Sequence, residues 1–529
     1  MISLHIVRGF AVFTAIVGTA AACTPPRAGP TPAPAPRAPQ PLPYRPLSEG
    51  LPPIPEVTAP LAIDVVHPGQ GDPRPAVDST FVYGSVGTGG AALVINGVQV
   101  PVAPNGAFIA YLPLPVDGTW RLEAFRGEER AEASVSYRAP GSAARDSVAA
   151  AAAALPEGAF PGPRAAVIVG GADTLATGSD AVRGLATAGG TTRWFFPRGA
   201  RVQLVERRGG EYRVRLDTAS AWIDTSAVRL ETGPAPPVAV DMTTATLAPS
   251  ADGAELRIAA GFAPFQVRVD SATVDVTVYR AGPARITPRL NDFVTGGGME
   301  AAGPGATRAT ATLSRIPWGY QAFYEPGGTL VVRIRRPPPI DAAAPLRGIR
   351  IVVDPGHPPA GATGPTRLRE ADANLQIALR LAEKLRAAGA EVLMTRTADV
   401  PVELGERTRM AVAANAHLLV SVHNNAFGEG QNPFRLHHTS TYYFHPFSAE
   451  LARALNQEIA AVVKIPNRGA LFNSLALVRP TWMPTALTES LFMPIPEQEA
   501  ALRDPQLVDQ LAAAHARGIE AFLRARANR

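Results

Sequence analysis

The sequence predicts a multidomain chain in which small all-β modules precede a C-terminal α/β domain with a mostly parallel sheet covered by helices on both faces. Three observations carry that prediction. The 529 residues exceed what one core fills, and 53 prolines with 48 glycines point to linkers between several domains. Up to about residue 337 the apolar residues come in short alternating runs separated by glycine or Asn-Gly, the pattern of β-hairpins. From about residue 346 strand-like and helix-like stretches alternate, which makes a parallel sheet with helices packed on it.

Residues 1–23 read as an export signal. Arg8 is the positive start, residues 9–17 are a short apolar core, and Ala20-Ala21-Ala22 place small residues before Cys23. The apolar core is too short for a transmembrane helix. Small residues ahead of the only cysteine resemble a bacterial lipoprotein signal, which implies a lipidated Cys23 and a membrane anchor; an ordinary cut after an Ala-x-Ala is the alternative. Thr24 stands where aspartate would signal retention at the inner membrane, so the expected place is the periplasmic face of an outer membrane. Residues 24–60 form a Pro/Ala-rich linker that cannot bury enough apolar surface to fold and would act as a spacer.

Residues 61–140 carry strand-like runs at 81–84, 92–95, 107–111 and 119–122, which predicts a small antiparallel sandwich resembling bacterial immunoglobulin-like modules. Residues 141–162 are an Ala-rich linker. At 163–232 the run 199–205, Gly209-Gly210, 212–216 and the Trp222 strand resemble SH3-like modules. Residues 238–337 form a further β-rich module, similar in pattern to AMIN-type wall-targeting modules. A spacer with no ligand is the plainer reading of all three.

The C-terminal domain, 346–529, places strands at 349–353, 391–395 and 418–422 and helices at 373–388, 404–414, 449–462 and 504–525. At strand ends and helix starts stand two histidines and two glutamates: Asp354-Pro355-Gly356-His357, Glu370, Ser421-Val422-His423-Asn424-Asn425 and Thr488-Glu489. Two neutral imidazoles and one carboxylate around a divalent ion, with a position left for water, are the parts of a catalytic zinc centre. A second carboxylate would serve as base.

This order of motifs resembles the Amidase_3 family of zinc-dependent N-acetylmuramoyl-L-alanine amidases. The matching residues are the strand into His357, Glu370 before a long helix, Thr395-Arg396, Leu404 to Arg407, the Ser421, His423, Asn425 trio and the closing strand into Glu489. The resemblance implies that His357, Glu370 and His423 hold Zn²⁺ and that Glu489 is the catalytic base. Asn374, four residues beyond Glu370, would orient that ligand, and Asn425 joins it as a supporting or substrate-binding position. Arg479 resembles an arginine near the family's site, as substrate contact or as structural ion pair. The chain departs from the family at Pro358-Pro359-Ala360-Gly361, where glycines are usual, at Ala371, where Lys is common, and at Ser490-Leu491-Phe492.

The implied activity is hydrolysis of the amide between N-acetylmuramic acid and L-alanine in peptidoglycan. The implied partners are peptidoglycan, the membrane through the lipid anchor, and an envelope protein as activator. The alternatives are a catalytically inactive wall-binding scaffold lipoprotein and a zinc hydrolase of another wall amide. His437, His438 and His445 read as surface or packing residues, and His417 and His515 fall in helix-like patterns as bystanders. A net charge of +5 suits an acidic envelope but is too modest and dispersed for nucleic acid, which is excluded as a partner.

Overall fold

The computed structural model describes residues 39–138, 155–170, 181–216, 219–233, 244–279, 281–282 and 285–527. The described residues from 40 onward belong to one compact unit. The export signal, Cys23 and most of the first linker lie outside the described residues, as do residues 139–154. Among the described residues no helix is long and apolar enough to cross a membrane.

Residues 64–136 fold into two antiparallel sheets. One holds Asp64–His67, Ser79–Ser85 and Ala107–Pro113; the other holds Val98–Val100, Ala92–Ile95, Thr119–Arg126 and Glu129–Ser136. The strand period of two turns Trp120, Leu122 and Ala124 inward, where they meet Val82, Leu93 and Phe108 in one core. Asn96 and Gly97 both take positive φ, as a tight hairpin between Ile95 and Val98 requires.

The next β region differs from the expected division. The strands of 158–230 and the strands Phe265–Asp270, Thr273–Tyr279, Val294–Gly303 and Ala306–Leu313 share one eleven-stranded sheet. The join is the pairing of Phe195 with Phe265, whose rings stack at 5.4 Å. Five further strands, including Gly319–Tyr324 and Thr329–Arg335, form a second sheet.

Both linker boundaries are corrected. Strand Gly158–Ile168 begins inside the expected linker 141–162, because Gly158 pairs with Arg207 of the neighbouring strand. The expected linker 24–60 also ends early. Around Tyr44 to Leu51 the chain straps onto the C-terminal domain: Tyr44 hydroxyl and Leu47 N–H donate to the Glu497 carboxylate, Ser48 is buried, and Leu51 packs on the domain core. Proline content sets stiffness, but the apolar side chains spaced along it decide what it adheres to.

The C-terminal domain has a six-stranded sheet in the order Glu391–Met394, Arg350–Pro355, Leu418–Asn425, Thr485–Phe492, Thr439–Tyr443, Asn467–Phe472. The first four are mutually parallel, and Thr439–Tyr443 runs antiparallel to Thr485–Phe492. Helices α1 (Glu370–Ala387), α2 (Leu404–Ala413), α3 (Pro433–Leu436), α4 (Ala449–Val463), α5 (Pro496–Leu502) and α6 (Pro505–Ala527) complete it. Ile351, Val353, Val420 and Val422 face α1, α4 and α6, while Val352 and Leu419 face Ala411 of α2 and the turn at Leu477. A strand covered on both sides must be apolar at every position, which is why these strands read as continuous hydrophobic runs. Gly518 lets α6 lie close on α4; a Cβ there would sit 2.8 Å from Leu455 Cα.

The second β sheet also grips this domain. Arg335 is buried and its guanidinium donates to the carbonyls of Asn415 (3.0 Å), Ala416 (2.6 Å) and Trp482 (3.2 Å), while Trp318 Nε1 donates to His417 O at 2.7 Å.

Candidate metal centre

The functional groups stand just after a strand, at the start of a helix and on two neighbouring strands. Strand Arg350–Pro355 delivers Gly356, whose N–H donates to Val422 O at 2.9 Å. A Cβ on Gly356 would lie 2.2 to 2.5 Å from the His423 imidazole, so only glycine lets the two strands present adjacent histidines. His357 then takes φ of 59°, a left-handed conformation that costs energy for a non-glycine residue and marks a position held by its surroundings. Glu370 is the first residue of α1, where the positive helix end favours a carboxylate. His423 lies on the central strand, directly in register with Glu489 on the next.

The ligand atoms of His357, Glu370 and His423 all lie within 4.8 Å of one another. His357 Nε2 is 3.3 Å from Glu370 Oε2, His423 Nδ1 is 3.1 Å from Glu370 Oε1, and the two rings stand nearly perpendicular. His357 Nδ1 donates to Pro359 O at 3.2 Å in the tautomer that leaves Nε2 a lone pair for a metal. Burial would raise the Glu370 carboxyl, but the two imidazoles outweigh it and hold the group well below the usual carboxylate range. Burial pushes the Glu489 carboxyl well up, and the charge of Glu370 adds to the rise. Its Oε2 is buried and has no hydrogen-bond partner among the described residues. Three donors converging from three elements, two of them imidazoles, next to a half-buried carboxylate with a buried, unengaged oxygen, fit a divalent zinc ion.

Supports surround this group. Glu370 Oε2 accepts from Ala362 N–H at 3.0 Å, and Oε1 from Asn374 Nδ2 at 3.2 Å and Asn424 N–H at 3.3 Å. Asn374 Oδ1 in turn accepts from Asn424 Nδ2, whose own Oδ1 accepts from Leu491 N–H. Beneath them Arg407 donates to the carbonyls of Pro355 (2.7 Å) and Pro358 (2.8 Å), and Arg396 to those of Pro355 and Gly356 (3.0 Å each) and Ala371 (2.7 Å). Asp354, fully buried, balances Arg407 at 2.8 Å and also accepts from Thr395 and Ser421 hydroxyls. Thus the Thr395-Arg396 and Leu404 to Arg407 motifs are a cradle for the turn that presents His357.

Asn425 stands apart from this network, its Oδ1 accepting from Ala426 N–H. Arg479 follows the turn Ala476–Val478 and donates to Ser474 O at 2.6 Å. His417 is not helical: it sits in the turn before strand Leu418–Asn425, where its Nδ1 accepts from Arg350 N–H. His437, His445 and His515 are buried in packing. Sequence reasoning missed Asn424, although the strand period that turns Val420 and Val422 toward α1 turns Asn424 toward Asn374 as well.

Residues 351–521 match the model of the Amidase_3 family, described as N-acetylmuramoyl-L-alanine amidase. These residues therefore form an Amidase_3 domain. The Amidase_3 domain is similar to N-acetylmuramoyl-L-alanine amidase LytC of Bacillus subtilis, 31% identical over 186 residues, which cover 34% of this chain and 36% of that protein. It is also similar to the probable cell wall amidase LytH of Staphylococcus epidermidis, 30% identical over 173 residues, covering 31% of this chain and 56% of the relative. Among solved structures, N-acetylmuramoyl-L-alanine amidase AmiC2 of Nostoc punctiforme is 32% identical, with 33% of this chain and 97% of that one covered and a TM-score of 0.31. The chain therefore spans about a third to just over a half of the curated relatives it matches.

Proposed function

We propose that this chain hydrolyses the amide bond between N-acetylmuramic acid and L-alanine in peptidoglycan, using Zn²⁺ held by His357, Glu370 and His423. The observation that carries the reading is the convergence of these three donors within 4.8 Å beside the unengaged Glu489 carboxylate. When bound, the ion would polarise the scissile carbonyl and acidify water. Asn374 and the N–H groups of Ala362 and Asn424 fix the Glu370 carboxylate so that it need not reorganise. Glu489 accepts a proton from the attacking water at a carboxylate oxygen as the carbon–oxygen bond forms. It then gives that proton to the leaving amine of L-alanine as the carbon–nitrogen bond breaks. All four positions are filled by competent groups, which favours an enzyme over an inactive scaffold.

The test is digestion of purified peptidoglycan by zinc-loaded and chelated protein, with the new termini identified by mass spectrometry. New L-alanine amino termini that depend on zinc are expected; cleavage at another amide would redirect the substrate assignment, and no cleavage would favour the scaffold. We further infer that the chain is exported, acylated at Cys23 and held at the periplasmic face of an outer membrane. Fatty-acid labelling of the mature protein should vanish in Cys23→Ser, and labelling that persists would refute the anchor.

A further inference from the structure

The loop from His357 to Glu370 joins two of the proposed ligands, and it is strained. His357, Ala360 and Arg367 all have positive φ (59°, 61° and 67°) without being glycine. Such conformations persist only where the surroundings over-determine them. Arg396 and Arg407 hold its start, and two further sets of contacts hold its second half, residues 363–368, from opposite sides.

From inside, the buried Glu499 carboxylate accepts from Thr366 N–H (3.0 Å), Thr366 Oγ1 (2.8 Å) and Leu368 N–H (3.0 Å). Gly364 admits it: a Cβ there would lie 2.5 Å from Glu499 Cγ. The helix that carries Glu499, α5, is itself pinned by the N-terminal strap. Glu497 accepts from Tyr44 and from Leu47 N–H, and Gln498 donates to Ser48 Oγ at 3.2 Å while accepting from Phe492 N–H at 2.7 Å.

From outside, the first β-sandwich seals the same loop. Tyr83 hydroxyl donates to Thr363 O at 3.0 Å, and Arg367 forks onto Asp64 at 2.7 and 2.5 Å. The sandwich reaches the neighbouring loops too. Tyr111 hydroxyl donates to Gly430 O, Thr80 Oγ1 to Glu429, and Phe81 meets Phe427, which stacks on Phe492 at 4.5 Å. These contacts fall on the segments that follow His423 and Glu489.

We propose that Glu499, Tyr83 and Asp64 are positioning residues for the reaction assigned above, on which this inference rests: the strap and the first sandwich clamp the His357–Glu370 loop and thereby set the spacing of the ligands at its ends. The sandwich is then a working part of the hydrolase rather than a spacer. None of the three touches the ligand group itself.

The experiment uses the full chain and compares Asp64→Asn/Tyr83→Phe, Glu499→Gln and wild type, with Glu123→Gln as control, because Glu123 pairs with Arg130 on the opposite sheet. Three quantities are read: amide exchange at Thr366 and Leu368 in the metal-free protein, zinc affinity by competition with a chelator, and kcat and KM on muramoyl-peptide. Losing one hydrogen bond and one half-exposed ion pair predicts about tenfold faster exchange at these amides and about tenfold weaker zinc binding. kcat should fall with KM nearly unchanged, and exchange in Ser79–Ser85 should stay as in wild type. Exchange and zinc affinity within twofold of wild type in both variants would overturn the proposal. If Glu499→Gln fails to fold, the Asp64→Asn/Tyr83→Phe variant decides alone. Wild type that neither binds zinc nor cleaves would refute the proposed function, while the exchange comparison still decides the clamp.

Discussion

Replacing Glu489 by glutamine keeps the shape of the side chain and removes its basicity. The carboxylate lies level with His423, with Oε2 buried and unpartnered, so an amide of the same size fits without opening a cavity. None of the hydrogen bonds that orient Glu370 involves Glu489, so the ligand cluster should keep its zinc. In the proposed role, what is lost is proton transfer, for which general-base catalysis typically supplies about 10²–10⁴-fold. That corresponds to about 3–5 kcal/mol of transition-state stabilisation. The assay is metal content by elemental analysis and turnover of muramoyl-peptide on the same preparations. Glu489→Gln should hold one zinc per chain and lose at least a hundredfold in kcat, whereas Glu370→Gln should lose metal and activity together. A Glu489→Gln enzyme that stays fully active refutes the base assignment, and one that drops its zinc while Glu370→Gln retains it exchanges the two roles.

Four further outcomes follow from the same geometry. Asn374→Ala removes the amide that holds Glu370 Oε1 and should weaken zinc binding about 10–100-fold, read by chelator competition. Gly356→Ala forces a methyl into the His423 ring and should abolish stoichiometric zinc binding; unchanged metal content would contradict the close approach. Arg407→Leu strands the fully buried Asp354 and should destabilise the domain by about 3–5 kcal/mol in denaturant unfolding. Burial pushes both His445 and His515 down to about 4, so the unfolded chain takes up protons below pH 6.5 before the folded one does. The stability they contribute is present above pH 6.5 and declines as the pH falls towards 4, by up to about 3 kcal/mol each. His515→Gln should flatten part of that decline in acid unfolding curves.

The strands and helices of the C-terminal domain were legible because local period and global packing agree there: Ile351 to Val353 alternate between two helical layers, and His357, His423 and Glu489 follow apolar runs. The buried charges were legible only as motif letters. That Arg396 and Arg407 cradle backbone carbonyls needs the turn at Pro355 to Pro358 to exist first. The strap left no local signal, since Tyr44 and Glu497 are 453 positions apart and a Pro-rich stretch has no amphipathic period to read. The merged sheet was hidden for a similar reason: the Phe195 to Phe265 pairing links segments that each look like a complete module.

The Arg335 fork has a practical consequence for anyone who trims this protein. It supplies donors to the carbonyls of Asn415 and Ala416, at the foot of the strand that ends in His423, and to Trp482 just ahead of the strand that carries Glu489. A fragment started at the family match would uncover Trp482 and leave those carbonyls without this donor, at the base of the two strands that matter most. The smallest piece that keeps the centre intact is therefore larger than the piece that resembles other proteins, and it begins upstream of Trp318.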